Sequence, residues 1–203
     1  MAWPGVDTTH FSPTPGVELR SPDGPVRLVY VARMMPGKGQ HVAIEAVKGL
    51  HSNVRERVHL DLVGPAVDSE YCVSLRRRAL DAPVSFHGAV GDLAPWYQRA
   101  DIVLFPTVME EVFGYSAVDG MACGKPVIFS KFNALMEVTN GIGLVVPAGD
   151  VKRLGEAIRT LAKDPARCDD LGRRGRELVV ERYSWEVALA RYQALIEEAA
   201  SRG

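Results

Sequence analysis

The hydrophobic pattern of the chain changes at residue 26, where short apolar runs begin to alternate with longer amphipathic segments. The apolar runs have the length and β-branched content of strands, and they cover residues 26–31, 58–63, 84–86, 101–105, 126–129 and 143–146. Helical spacing predicts helices over residues 40–50, 71–80, 93–99 and 115–123, and through most of the chain after residue 150. Strands that alternate with helices in this way predict parallel βαβ crossovers.

One of these runs is apolar at every position, from Ile102 to Phe105. Such a strand is typical of a parallel sheet that is covered by helices on both faces. We therefore predict an α/β fold with a Rossmann-like, doubly wound parallel sheet of about six strands. Ligands of such folds bind at the carboxyl ends of the strands, so the loops after the strands are the places to look for chemistry.

The first 25 residues are rich in proline and glycine and show no sustained periodicity. We interpret residues 1–25 as an irregular lead-in and residues 26–203 as one Rossmann-like domain that includes the C-terminal helices. Three residues are predicted to cap the last helices: Asp150, Asp164 and Ser184. The turn-rich opening gives the impression of a chain that begins partway through a larger protein.

Composition narrows the functional classes. Lys and Arg number 24 against 25 Asp and Glu, and the formal net charge of −1 argues against a general nucleic-acid binder. The triplet Arg76-Arg77-Arg78 is interpreted as a solvated helix face rather than a nucleic-acid patch. No apolar stretch approaches the roughly 20 residues of a membrane span. Neither a signal peptide nor a disulfide framework is recognisable, and we expect a cytoplasmic protein.

The loop after the first predicted strand carries two cations, Arg33 and Lys38, together with Gly37 and Gly39. Glycines permit close backbone approach, and a helix N-terminus beside an arginine and a lysine favours an anion. Two cations five residues apart suit a diphosphate better than a single carboxylate. The alternative is a surface turn whose basic side chains are solvated.

The loop after the fourth predicted strand carries Glu111, which precedes a helix start at Phe113–Tyr115. Its carboxylate and the amides of Phe113, Gly114 and Tyr115 could hydrogen-bond to sugar hydroxyls. Asp119, on the helix, is suited to the two hydroxyls of a ribose. The alternative places Glu111 at the helix dipole and Asp119 on a solvated face.

The string from Glu111 through Phe113-Gly114 to Asp119, and on to Gly124-Lys125-Pro126-Val127, resembles the signature of the retaining glycosyltransferases of family 4. Further resemblances follow in the family's order along nearly the whole chain: Gly5-Val6-Asp7, Arg33, Lys38-Gly39, Phe86-His87-Gly88, Asp101–Pro106, Pro147-Ala148-Gly149-Asp150 and Tyr183-Ser184-Trp185. The chain is identified on these motifs as similar to the C-terminal, donor-binding half of a GT-B enzyme.

The resemblance implies a metal-independent enzyme without a cofactor, whose donor is a UDP-, GDP- or ADP-sugar. Arg33 and Lys38 would bind the donor diphosphate, and Glu111 would contact the donor sugar with help from the amides that follow. Asp119 would hold the ribose, and the segment around His87 would lie against the base, although a purely structural histidine is an equal alternative. The partner would be an N-terminal acceptor-binding domain, in cis or as a separate chain.

Three departures from the family pattern bear on the donor. Asp119 stands where the family has glutamate, Ala32 replaces the glycine before Arg33, and Asn133-Ala134 replaces a pair of glycines. Two other functions compete with the transferase half. One is a non-catalytic nucleotide-sugar-binding module that acts with a partner domain, and the other is a flavodoxin-like regulatory domain.

Overall fold

The computed structural model describes residues 3–16 and 20–201. In this part of the chain the strands form a six-stranded parallel sheet, with β1 at Val26–Val31, β2 at Val58–Val63, β3 at Val84–Gly88, β4 at Ile102–Phe105, β5 at Val127–Ser130 and β6 at Leu144–Val146. The spatial order is β3-β2-β1-β4-β5-β6. The chain moves outward from β1 to one edge, returns to place β4 beside β1, and then moves to the other edge. The predicted doubly wound sheet is confirmed.

The helices cover both sides of the sheet. Their bounds are α1 at Gln40–Lys48, α2 at Ser52–Arg55, α3 at Ser69–Arg78, α4 at Ala94–Arg99, α5 at Tyr115–Ala122, α6 at Asn133–Val138, α7 at Val151–Lys163, α8 at Pro165–Tyr183 and α9 at Trp185–Ser201. Helix α1 packs against α3 and α7, whereas α5 packs against α4 and α8. The short helices α2 and α6 are the elements that the hydrophobic pattern did not predict.

The C-terminal helices begin where the sequence places their caps. The side chain of Asp150 accepts a hydrogen bond from the Arg153 amide at 2.9 Å, and Asp164 accepts one from the Arg167 amide at 3.0 Å. Each carboxylate satisfies an amide that has no partner within its own helix. None of the helices in residues 3–16 and 20–201 combines the length and the apolar character needed to cross a membrane.

Residues 3–16 contain no helix, and their strand pairing is limited to an isolated bridge at Val6. Residues 1–2 and 17–19 of the proposed lead-in lie outside the described part of the chain. This segment is nevertheless packed on the domain. Val6 is buried, and its amide donates to the carbonyl of Tyr183 at 2.7 Å. The Trp3 ring lies 5.9 Å from that of Phe113. The contacts hold the start of the described chain beside the loop after β4.

Candidate functional site

A cleft of about 580 Å³ opens at the carboxyl ends of β1 and β4. These two strands are neighbours at the place where the strand order reverses, which is where open α/β sheets bind ligands. The walls of the cleft come from the loop after β1, the loop after β4, the start of α5 and one side of α4. Pro4, from the lead-in, also lines it, and no feature of the sequence pointed to that residue.

The structure brings most of the predicted site residues together around this cleft. Those that line it are Arg33, Lys38, Glu111, Phe113, Gly114, Tyr115 and Asp119. His87 is not among the lining residues. Segments more than seventy residues apart in the chain therefore meet at one end of the sheet.

The first electrostatic feature of the cleft is an ion pair between the Lys38 ammonium and a carboxylate oxygen of Glu111. The two side chains are 14% and 17% exposed, so solvent screens the pair less than it would on an open surface. A short 3₁₀ turn at Pro36–Lys38 positions the lysine. The loops after β1 and β4 are thus joined by opposite charges at the mouth of the site.

Gly39 makes the close approach of the two loops possible. Its φ of +74° is left-handed, and a Cβ atom at this position would overlap the carbonyl oxygen of Pro106. Left-handed backbone costs other residues roughly 1–2 kcal/mol, and here the steric overlap adds to that cost. The glycine therefore sets the spacing between Lys38 and the loop after β4.

Replacing Gly39 with alanine is expected to destabilise the domain by about 2–5 kcal/mol, because backbone strain and overlap with Pro106 act together. Gly16→Ala is the matched control, since Gly16 has a φ of +72° with nothing within 4 Å of a new Cβ. That control should lose only about 1–2 kcal/mol. Urea unfolding of both variants measures the difference, and equal losses would show that the two loops can separate freely.

The loop after β4 enters α5 through Gly114, whose φ is +77°. A Cβ there would lie 2.5 Å from a methyl group of Leu135. The Phe113 ring is buried and packs 4.9 Å from Tyr115 and 5.4 Å from Tyr183. The ring of Phe113 is therefore a packing element, and its amide is the group available for a ligand.

Asp119 lies on α5 and is only 8% exposed, so the alternative of a solvated helix face is wrong. Burial raises its pKa from 3.8 to about 7, and the nearby His10 acts in the opposite direction. In the described residues its carboxylate has neither a hydrogen bond nor an ion pair. The residue is a buried acid that borders the cleft and is available to a ligand.

His87, on β3, contacts an acid and an aromatic ring. Its Nε2 atom lies 2.6 Å from a carboxylate oxygen of Asp61, and its ring centroid is 4.2 Å from that of Trp96. Asp61 and His87 lie on the neighbouring strands β2 and β3, and Trp96 lies on α4. A contact between His87 and a base stays a prediction, while the structural alternative accounts for the contacts that are present.

The family model described as glycosyl transferases group 1 matches residues 25–164 of this chain. The chain belongs to the group 1 glycosyltransferases. Its six-stranded sheet is the Rossmann-like half of a GT-B fold. The loops that carry Lys38 and Glu111 lie inside the matched region, in agreement with the resemblance drawn from the sequence motifs.

This group 1 glycosyltransferase chain is 28% identical to the D-inositol 3-phosphate glycosyltransferase of an Arthrobacter species, over 98% of this chain and 50% of that protein. It is 30% identical to the GDP-mannose-dependent alpha-(1-6)-phosphatidylinositol monomannoside mannosyltransferase of Mycolicibacterium smegmatis, over 95% and 54%. Sucrose-phosphate synthase from Thermosynechococcus elongatus matches in structure with a TM-score of 0.81 and 28% identity, over 98% and 52%. The chain spans about half the length of these relatives.

Proposed function

We propose that this chain is the donor-binding half of a retaining, metal-independent glycosyltransferase and holds a nucleotide-diphosphate sugar in the cleft between β1 and β4. The observation that carries the proposal is the meeting of Arg33, Lys38, Glu111 and Asp119 at the switch point of the sheet. Two cations, a polar carboxylate and a buried acid correspond to the diphosphate, the sugar and the ribose of one donor. No cofactor is needed for this chemistry.

Arg33 and Lys38 act on the diphosphate. When the bond between the anomeric carbon and the phosphate oxygen breaks, negative charge develops on the departing nucleoside diphosphate. Cations fixed beside that charge stabilise the transition state more than the ground state. The main demands of such a transfer are positioning and phosphate stabilisation, which these two side chains supply.

Donor binding in this proposal rearranges the ion pair between Lys38 and Glu111. A diphosphate that enters the cleft competes with Glu111 for the lysine ammonium. The released carboxylate is then free to accept hydrogen bonds from hydroxyl groups of the donor sugar, with the amides of Phe113 and Gly114 beside it. Glu111 thus neutralises Lys38 before binding and contacts the sugar after it.

Asp119 holds the ribose in this proposal. Its carboxylate accepts hydrogen bonds from the ribose hydroxyls best when it is ionised. Because burial raises its pKa to about 7, ionisation occurs near neutral pH. The contribution of this residue to donor binding therefore grows as the pH rises through 7.

The partner in this proposal is an acceptor-binding domain. Helix α9 exposes an apolar stripe at helical spacing, with Trp185, Leu189, Tyr192 and Ile196 between 43% and 68% exposed. Tyr115, at the cleft itself, is 52% exposed. A partner domain that covers these side chains would also close the cleft over the donor. The relatives are about twice as long as this chain, which is long enough to include such a domain.

Calorimetry with UDP, GDP and ADP tests the proposal directly. The wild-type chain is expected to bind at least one of them with a micromolar to millimolar Kd. An Arg33→Ala, Lys38→Ala double variant should lose that binding and remain folded. Failure of the folded wild type to bind all three would contradict the proposal.

A non-catalytic nucleotide-sugar-binding module is the second candidate, favoured by the half-length match to the relatives. Donor hydrolysis separates the two functions. The module predicts binding without turnover even when a separately expressed N-terminal domain and acceptors are added. The transferase half predicts turnover under those conditions, with the isolated chain binding donor better than it turns donor over.

A further inference from the structure

Two buried polar side chains reach the loop after β1 from the protein interior. Tyr30 and Gln40 are each 1% exposed. The Tyr30 hydroxyl donates to the carbonyl oxygen of Lys38, and the Gln40 side-chain amide donates to that of Arg33 at 2.8 Å. Burial, and then the Glu111 carboxylate, raises the pKa of Tyr30, so its hydroxyl stays protonated and remains a donor.

A third buried side chain reaches the same loop from its neighbour. Thr107 follows β4 and is fully buried. Its Oγ1 atom lies 3.1 Å from the carbonyl oxygen of Gly37 and 3.0 Å from that of Met109. The amide of Val108 donates to the same Gly37 oxygen at 3.0 Å. Thr107 therefore joins the loop that carries Lys38 to the loop that carries Glu111.

These contacts decide which atoms of the loop are available to a ligand. A carbonyl oxygen carries partial negative charge and would repel a phosphate that came close to it. The carbonyls of Arg33, Gly37 and Lys38 accept hydrogen bonds from side chains that are buried and that do not line the cleft. The oxygens are thereby held on the interior side of the loop.

We propose that Tyr30, Gln40 and Thr107 are positioning residues that draw the carbonyl oxygens of this loop inward and so leave its cationic side chains to receive a diphosphate. The inference rests on the proposed function and deepens it. According to this inference, three residues beneath the cleft make the site prefer a nucleoside diphosphate over a nucleoside monophosphate. Thr107 has the added role of fixing the distance between the two loops.

Thr107→Val tests the inference, because valine keeps the shape of threonine and removes its hydroxyl. The fold should survive because the Val108 amide still bonds to the Gly37 oxygen. What the variant loses is the contact of the Thr107 hydroxyl with the Gly37 and Met109 oxygens, which fixes the distance between the two loops. Calorimetry is run with the nucleoside diphosphate that wild type binds best and with its monophosphate. Thr107→Val is expected to weaken diphosphate binding about tenfold, or about 1.4 kcal/mol, and to leave monophosphate binding within about twofold. Thr107→Ser, which restores the hydroxyl, should recover the diphosphate affinity.

Tyr30→Phe provides a second measurement at the Lys38 carbonyl and is expected to shift selectivity in the same direction. Far-UV circular dichroism and Tm establish that each variant is folded at the temperature of the titration. The inference is overturned if both variants bind the diphosphate as tightly as wild type, or if diphosphate and monophosphate weaken equally. A wild-type chain that binds no nucleotide contradicts the proposed function instead, so the two failures are distinguishable.

Discussion

Lys38→Ala should weaken nucleoside diphosphate binding by about 10- to 100-fold while the domain stays folded. The ammonium is a charge-assisted partner in a site that is largely shielded from solvent, and such hydrogen bonds contribute about 1.5–3 kcal/mol. Its removal has a second effect. Glu111 loses its counter-ion and presents an uncompensated negative charge to the incoming phosphates. Titration calorimetry against the best-bound nucleoside diphosphate measures the loss.

The matched control is Lys152→Ala, which removes an exposed lysine from α7, away from the cleft. It should bind as wild type does. A Lys38→Ala, Glu111→Gln double variant separates the two effects, because the neutral amide removes the repulsion. It should recover part of the affinity that Lys38→Ala loses, and together with the Glu111→Gln single variant it gives the coupling free energy of the pair. If Lys38→Ala bound the nucleotide as tightly as wild type, Lys38 would not be a donor-binding residue.

Asp119→Asn should make the domain more stable above neutral pH and weaker in binding nucleotide. Burial raises the pKa of Asp119 from 3.8 to about 7, so the folded state holds a proton that the unfolded chain releases. Below pH 3.8 both states are protonated and the residue costs nothing. As the pH rises toward 7 the unfolded state is increasingly favoured, and above about 7 the full cost is present.

The size of that cost follows from the same values. A gap between 3.8 and about 7 gives an upper bound of about 4 kcal/mol, at roughly 1.4 kcal/mol per pKa unit. The asparagine side chain that replaces this carboxyl carries no charge at any pH. Thermal unfolding of Asp119→Asn at about pH 8 should therefore show a raised Tm, by up to roughly 8–16 °C at about 2–4 °C per kcal/mol. At about pH 4 the gain should be nearly absent.

Asp169→Asn is the control, since Asp169 is exposed on α8. Its Tm should follow the wild-type pH profile. If Asp119→Asn also follows that profile, the carboxylate is not desolvated in solution. If Asp119→Asn is more stable but binds nucleotide more weakly, then Asp119 contributes to ligand binding while it lowers the stability of the folded domain.

The hydrophobic pattern was sufficient for the sheet and for the position of the cleft. Runs such as Ile102–Phe105 are buried at every position, and their ends locate the loops. The polar interior of the site was not predictable in the same way. Tyr30 stands in an apolar strand, where nothing in a one-dimensional pattern shows that its hydroxyl meets Lys38, eight residues on.

Two other features escaped the sequence for physical reasons. Helix α6, at Asn133–Val138, is too short for a periodic pattern to emerge, and its ends depend on packing. His87 lies on the edge strand β3, and its partner Asp61 lies on the neighbouring strand β2. Cross-strand partners of this kind depend on register, which the spacing of residues along one strand does not contain.

The order of the strands gives the domain two wings, one built from β1–β3 and the other from β4–β6. Each wing is continuous in the chain, and each contributes one loop to the cleft. Neither wing alone holds both members of the Lys38–Glu111 pair. A nucleotide that contacts both loops would bind only when the two wings are packed against each other. Its binding would therefore stabilise the packing of one wing on the other by mass action.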